Sequence, residues 1–248
     1  MTVTTLNRSR GEVVAASTGV LFAIAVIAGV LLASAPRPNA SPADIQQAFL
    51  DNAAAVRMQA FVQTAAAVLL LPFTAVLANL VRTGEGRPSG LTAAIVGGGV
   101  LAAAFLMVQS LLTATLATEG ISDSPALASA LRQLVFYTGG VGHVVWLGFL
   151  VGAASVAAHG ARALPRWLST AGIVSGVLSV LSLLSLLVEP AALFIPVGRF
   201  SAIVVIAIAG VLVAAGKAGA ATAKASVGSS VLGGVLVVIL AFVLTVTV

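Results

Sequence analysis

His143 stands in the stretch VFYTGGVGHVVWLGFLVG, residues 135–152, an apolar run of helix length with glycines on either side of the imidazole. A group that titrates near neutral pH, held in such a run, suits a proton relay or a ligand contact. Arg132 lies eleven residues earlier, which on a helix is about 16 Å of rise and almost a whole number of turns. Arg132, Phe136, Gly139, Gly140, His143, Trp146 and Leu150 are therefore expected on one stripe, with His143 close to the bilayer midplane. The competing reading is a neutral imidazole satisfied by one hydroxyl. Ser175, about 12 Å along the next helix from Trp167, has matching depth and makes a His143–Ser175 hydrogen bond the expected one.

That pair does not read as a catalytic one. The Gly-x-Ser-Gly pattern of rhomboid intramembrane proteases needs glycine where Ile173 stands, the order of Ser and His is reversed, and nothing supplies an oxyanion hole. Bis-histidine haem ligation is excluded, because His159, the second of two histidines, is about 24 Å away on the same helix. Cysteine is absent, which removes disulfides, thiolate nucleophiles, iron–sulfur clusters and cysteine-based zinc sites. The expectation is no cofactor, no metal and no catalytic activity.

Arg57, Arg132 and Arg199 carry the second line of chemistry, accompanied by Gln59, Gln63, Gln109, Thr113, Gln133 and Tyr137 in the same half of the membrane. Guanidiniums present a fork of donors that matches a carboxylate or a phosphate, including that of a lipid headgroup. The bland alternative is that each arginine snorkels to the interface or pairs with Asp51, Glu119, Asp123 or Glu189. The candidate ligand set is Arg57, Gln63, Gln109, Arg132, Tyr137, His143 and Arg199.

These residues must be positioned by membrane helices. The chain is 60% hydrophobic and 8% charged with a mean hydropathy of +1.16, where soluble domains carry about a quarter charged residues. Apolar runs long enough to cross a hydrocarbon core fall at about 13–35, 57–81, 90–118, 131–158, 167–188, 199–216 and 227–248. The fold class is an all-α integral membrane protein, one domain of seven helices, or six if the 199–216 run fails. The first run follows Arg8 and Arg10 as a signal peptide would, but is too long for one and reads as a retained helix. With the N-terminus cytoplasmic, eight basic residues fall inside and four outside, the positive-inside bias, so the expected topology is N-in and C-out. The basic residues are spread over loops, so the net charge of +5 speaks for orientation and not for nucleic acid.

Two loops announce helix starts alike, SPADIQQAF at Ser41 and SPALASALR at Ser124, each a Ser cap followed by Pro. The first should form a surface helix at about 42–53, with Ile45, Ala48, Phe49 and Val56 on its apolar face. With EPAALF at Glu189 these starts fit a threefold hairpin repeat of unequal spacing. Ser175, Ser179 and Ser182 with Gly148, Gly152, Gly172 and Gly176 read as close helix packing. Pro72 is expected to kink the second helix, and VGGGV at Val96 follows no strand and is no phosphate loop.

Three features in order, ADIQQAFLDNAAAVR, GHVVWLGFLVG and ALPRWLSTAGIVSG, give the chain a resemblance. Over about residues 13–188 it resembles the bacterial multi-pass membrane family called domain of unknown function 4386. The resemblance implies a membrane address and no mechanism, and the seventh helix is extra to that family's pattern. High Ala, Val and Gly with ten Arg to two Lys suits a GC-rich bacterial genome and hence a bacterial plasma membrane. The expected function is a non-enzymatic lipid- or anion-binding or accessory subunit, its partners membrane lipids and a membrane protein or a second copy. The alternative is a small-solute or proton-coupled transporter using His143.

Overall fold

In the computed structural model the described residues are 10–33, 36, 40–85, 90–118, 120–121 and 124–218. Among them every regular element is helical. The helices are α1 (Arg10–Leu32), α2 (Pro42–Asp51), α3 (Ala53–Glu85), α4 (Gly90–Leu116), α5 (Pro125–Phe136), α6 (His143–Ala161), α7 (Arg166–Leu181) and α8 (Phe194–Ala214). A six-residue π-helical turn, Tyr137–Gly142, joins α5 to α6, and 3-10 turns at Ser182–Leu186 and Glu189–Leu193 join α7 to α8.

Among the described residues, six spans are long and apolar enough to cross a membrane: Arg10–Leu32, Ala53–Val81, Gly90–Leu116, Pro125–Ala161, Arg166–Leu186 and Glu189–Ala214. The chain is thus a helical, multi-pass membrane protein. The expected seventh helix at 227–248 lies outside the described residues. Each span packs on its successor, and α8 returns to α1, so α1, α3, α4, α6, α7 and α8 form a closed ring. Within the ring α6 also touches α3 and α8, and its span is the most buried of the six.

Small residues set the close approaches, as they must where lipid supplies no hydrophobic drive between helices. A methyl group on Gly176 of α7 would stand 2.9 Å from the Cα of Gly152 and 3.0 Å from the carbonyl of Gly148 on α6. On Gly98 of α4 it would stand 2.7 Å from the backbone nitrogen of Leu150. The main apolar core runs through the ring, with Phe22, Phe73, Ile95, Leu147, Leu150, Leu168 and Ile203 fully buried.

At one end of the ring α2 lies across α5, and Ile45, Phe49, Val56, Leu116, Ala128 and Val135 form a separate apolar cluster there. A helix forms at Pro42–Asp51, where the sequence predicts one at about 42–53. Ser41 accepts at 3.2 Å from the Asp44 backbone N–H and Pro42 occupies the first helical position. Ser124, expected as the equivalent cap, makes no side-chain cap bond. The two segments then diverge: α2 stops at Asn52 and the chain restarts at Ala53, whereas α5 runs on into α6.

Two boundaries move from expectation with consequences for the site. The fourth span begins at Pro125, before the predicted 131, and is interrupted by the π turn, where three of six residues are glycine. The last described span begins well before the predicted 199, because Pro196 falls in the first turn of α8, where a missing N–H costs no hydrogen bond. Arg199 consequently sits inside the helix and not at its mouth.

Candidate functional site

At the end of the ring covered by α2 a cavity of about 340 Å³ opens between α1, α2, α3, α4, α5, the π turn and α8. Val30 and Ala33 come from the end of α1, Phe49 from α2, Gln59 and Gln63 from α3, and Gln109 and Thr113 from α4. Arg132, Val135 and Phe136 come from α5, Gly139 and Gly140 from the π turn, and Ile195 and Arg199 from α8. The volume is at the lower end of ligand pockets, which run from about 300 to 1,000 Å³. No acidic residue is among the lining residues described.

Arg132 is 9% exposed, and its Nε donates at 2.9 Å to the carbonyl of Pro36, beyond the end of α1. Its two terminal nitrogens have no protein partner among the described residues, and the residue lines the cavity. Arg199 donates from Nη2 to the carbonyl of Gly139 in the π turn, while its Nε is buried with no partner. Gln109 donates from Nε2 to Gln63 Oε1 at 2.9 Å, and its own Oε1 is buried unpartnered. The amide of Gln109 is pressed so close to Gly139 that any side chain there would overlap it. Thr113 donates to the carbonyl of Gln109 at 2.8 Å.

Of the seven candidate residues, then, Gln63, Gln109, Arg132 and Arg199 come together around one cavity. Arg57 does not join them. Its Nη2 donates at 2.7 Å to the carbonyl of Ala117, completing a carbonyl left open at the end of α4. Tyr137 is 42% exposed and its ring, outside the lining, sits 5.8 Å from that of Phe136 at a tilt of 59°. His143 is fully buried and does not line the cavity.

The expected His143–Ser175 bond is not formed. His143 Nδ1 instead meets the carbonyl of Ala102 on α4 at 2.9 Å, and because a carbonyl only accepts, the hydrogen is on Nδ1. Close packing of α4 on α6 at Gly98, and on the π turn at Gly142, brings that carbonyl within reach. His143 Nε2 and Ser175 Oγ are both left buried without a partner. The stripe predicted through Arg132 divides accordingly: Arg132, Phe136, Gly139 and Gly140 face the cavity, and His143 faces α4.

The alternative of arginines paired with carboxylates also fails for the described residues. Arg57, Arg132 and Arg199 each donate to a backbone carbonyl, and Asp51 accepts from Gln47 at 2.7 Å. Glu119 and Asp123 lie outside the described residues. Sequence reading passed over the π turn and the apolar lining of Phe49 and Ile195. The three glycines of TGGVG were the available signal for the turn.

No protein-family model, curated protein or solved structure matches the chain.

Proposed function

We propose that this is a non-enzymatic membrane protein whose α2-covered cavity binds an anion, as a lipid-binding or accessory subunit of a bacterial plasma membrane with its N-terminus inside. One observation carries the reading: two guanidiniums, Arg132 and Arg199, line one cavity that has no carboxylate among its described lining residues. Cations held in a region of low dielectric without a counter-charge are costly, and an anion arriving between them offsets that cost. The positive-inside count supports an orientation with this end of the bundle on the outer face, where anions and lipid headgroups are both at hand. The buried position of His143 outside the cavity weighs against a transport route through its ring.

Native mass spectrometry of the protein from mild detergent, wild type beside Arg132→Gln and Arg199→Gln, tests the reading. An anionic adduct on the wild type that both variants lose supports it. An adduct retained by both variants, or a wild type that stays bare in the presence of added anionic lipid, removes the cavity as a binding site.

A further inference from the structure

We infer that the ligand is an amphiphile whose head is an anion accepting hydrogen bonds, with no ammonium group, and that the cavity rejects zwitterions with the same anion. This rests on the anion-binding reading above and names the class of ligand for that site.

The polar groups left over by the protein's own bonds are mostly of one kind. Gln63 Oε1 is taken by Gln109, which leaves the Gln63 Nε2 donor, and Gln109 Oε1 is sealed from the cavity. Arg132 keeps its two terminal nitrogens and Arg199 keeps Nη1, all donors without a protein partner among the described residues. Gln59 lines the cavity with a neutral amide, which cannot offset a charge. An ammonium on the ligand would find no carboxylate among the described lining residues and two guanidiniums of its own sign. An acceptor-only head meets none of these penalties.

The remaining wall is apolar, with Val30, Phe49, Val135, Phe136 and Ile195. A hydrated inorganic anion would leave that surface unused, whereas an alkyl chain would bury against it at roughly 25 cal/mol per Å². The shared chemistry of a lipid headgroup and a free anion is thereby narrowed to the anion that carries a chain.

The test compares decyl phosphate with decylphosphocholine at about pH 5, where the monoester, like the diester, carries a single negative charge, so that the two share a chain and an anionic charge and differ by the cationic choline, with inorganic phosphate as the chainless control. Binding is measured in an uncharged maltoside detergent. The expected result is decyl phosphate binding at least about tenfold more tightly than either of the others, a difference of about 1.4 kcal/mol. Ile195→Ala, which removes apolar wall and adds no bulk beside Arg199 one helical turn on, should weaken decyl phosphate and leave inorganic phosphate unchanged. Equal binding of the two decyl compounds overturns the selectivity while leaving an anion site. Equal binding of inorganic and decyl phosphate overturns the chain requirement. No binding of any probe by folded protein overturns the anion-binding reading itself.

Discussion

Arg132 on α5 and Arg199 on α8 face the same cavity, and each gives one donor to a backbone carbonyl, of Pro36 and of Gly139, in place of a carboxylate. The arrangement fixes both side chains while leaving donors free. Preorganised donors of this kind bind an anion without the entropy cost of first ordering two long side chains. Because Arg199 reaches into the π turn, the site and the break in the longest span are held by one side chain.

The glycines of VGGGV separate the packing account from simple helix propensity. Gly98→Ala brings a methyl to 2.7 Å from the Leu150 backbone nitrogen, whereas Gly97→Ala meets nothing within 4 Å. Neither backbone can yield locally, so Gly98→Ala should destabilise by about 1–3 kcal/mol, whereas Gly97→Ala should gain up to about 1 kcal/mol of helix propensity. Thermal unfolding of the two variants in one detergent checks this. Equal midpoints would refute the close α4–α6 contact.

For His143 the expected outcome is a stability effect without a binding effect. His143→Leu deletes the bond to Ala102 and should cost about 1–3 kcal/mol, leaving affinity for an anionic probe within twofold of wild type. A loss of binding in a variant that still unfolds cooperatively would place His143 in the site after all.

Arg162 ends α6 in the left-handed region at φ 53°, and the Ala163 N–H returns to the Ala158 carbonyl at 2.9 Å to close the helix. Glycine accepts that conformation without steric cost. Arg162→Gly should therefore stabilise the protein by about 0.5–1 kcal/mol, read as a higher unfolding midpoint. A lower midpoint would mean that the arginine side chain contributes more than its backbone strain removes.

Much of this was legible in the sequence, and the part that was not has identifiable causes. Depth along a helix follows from counting residues, and Gln63, Gln109, Arg132 and Arg199, which counting puts at one level, line one cavity. Rotation about the axis does not follow from depth. Arg57 shares the level but points to the end of α4, and Tyr137 turns outward. Counting residues gives His143 a partner on α7, because Ser175 matches its depth, yet the bond goes to a backbone carbonyl, which no residue type advertises. Spans in a uniformly apolar chain show little contrast at their ends, hence the late start assigned to α8. The surface helix α2 was readable because a Ser–Pro start and an amphipathic face announce it independently.

The most direct test is a double-mutant cycle on the affinity for decyl phosphate, using wild type, Arg132→Gln, Arg199→Gln and the double variant. If both guanidiniums grip one anion, each single substitution weakens binding about tenfold or more, and the double variant loses clearly less than the two losses combined. Affinity unchanged in either single variant, or two losses that simply add, would contradict a shared ligand between Arg132 and Arg199.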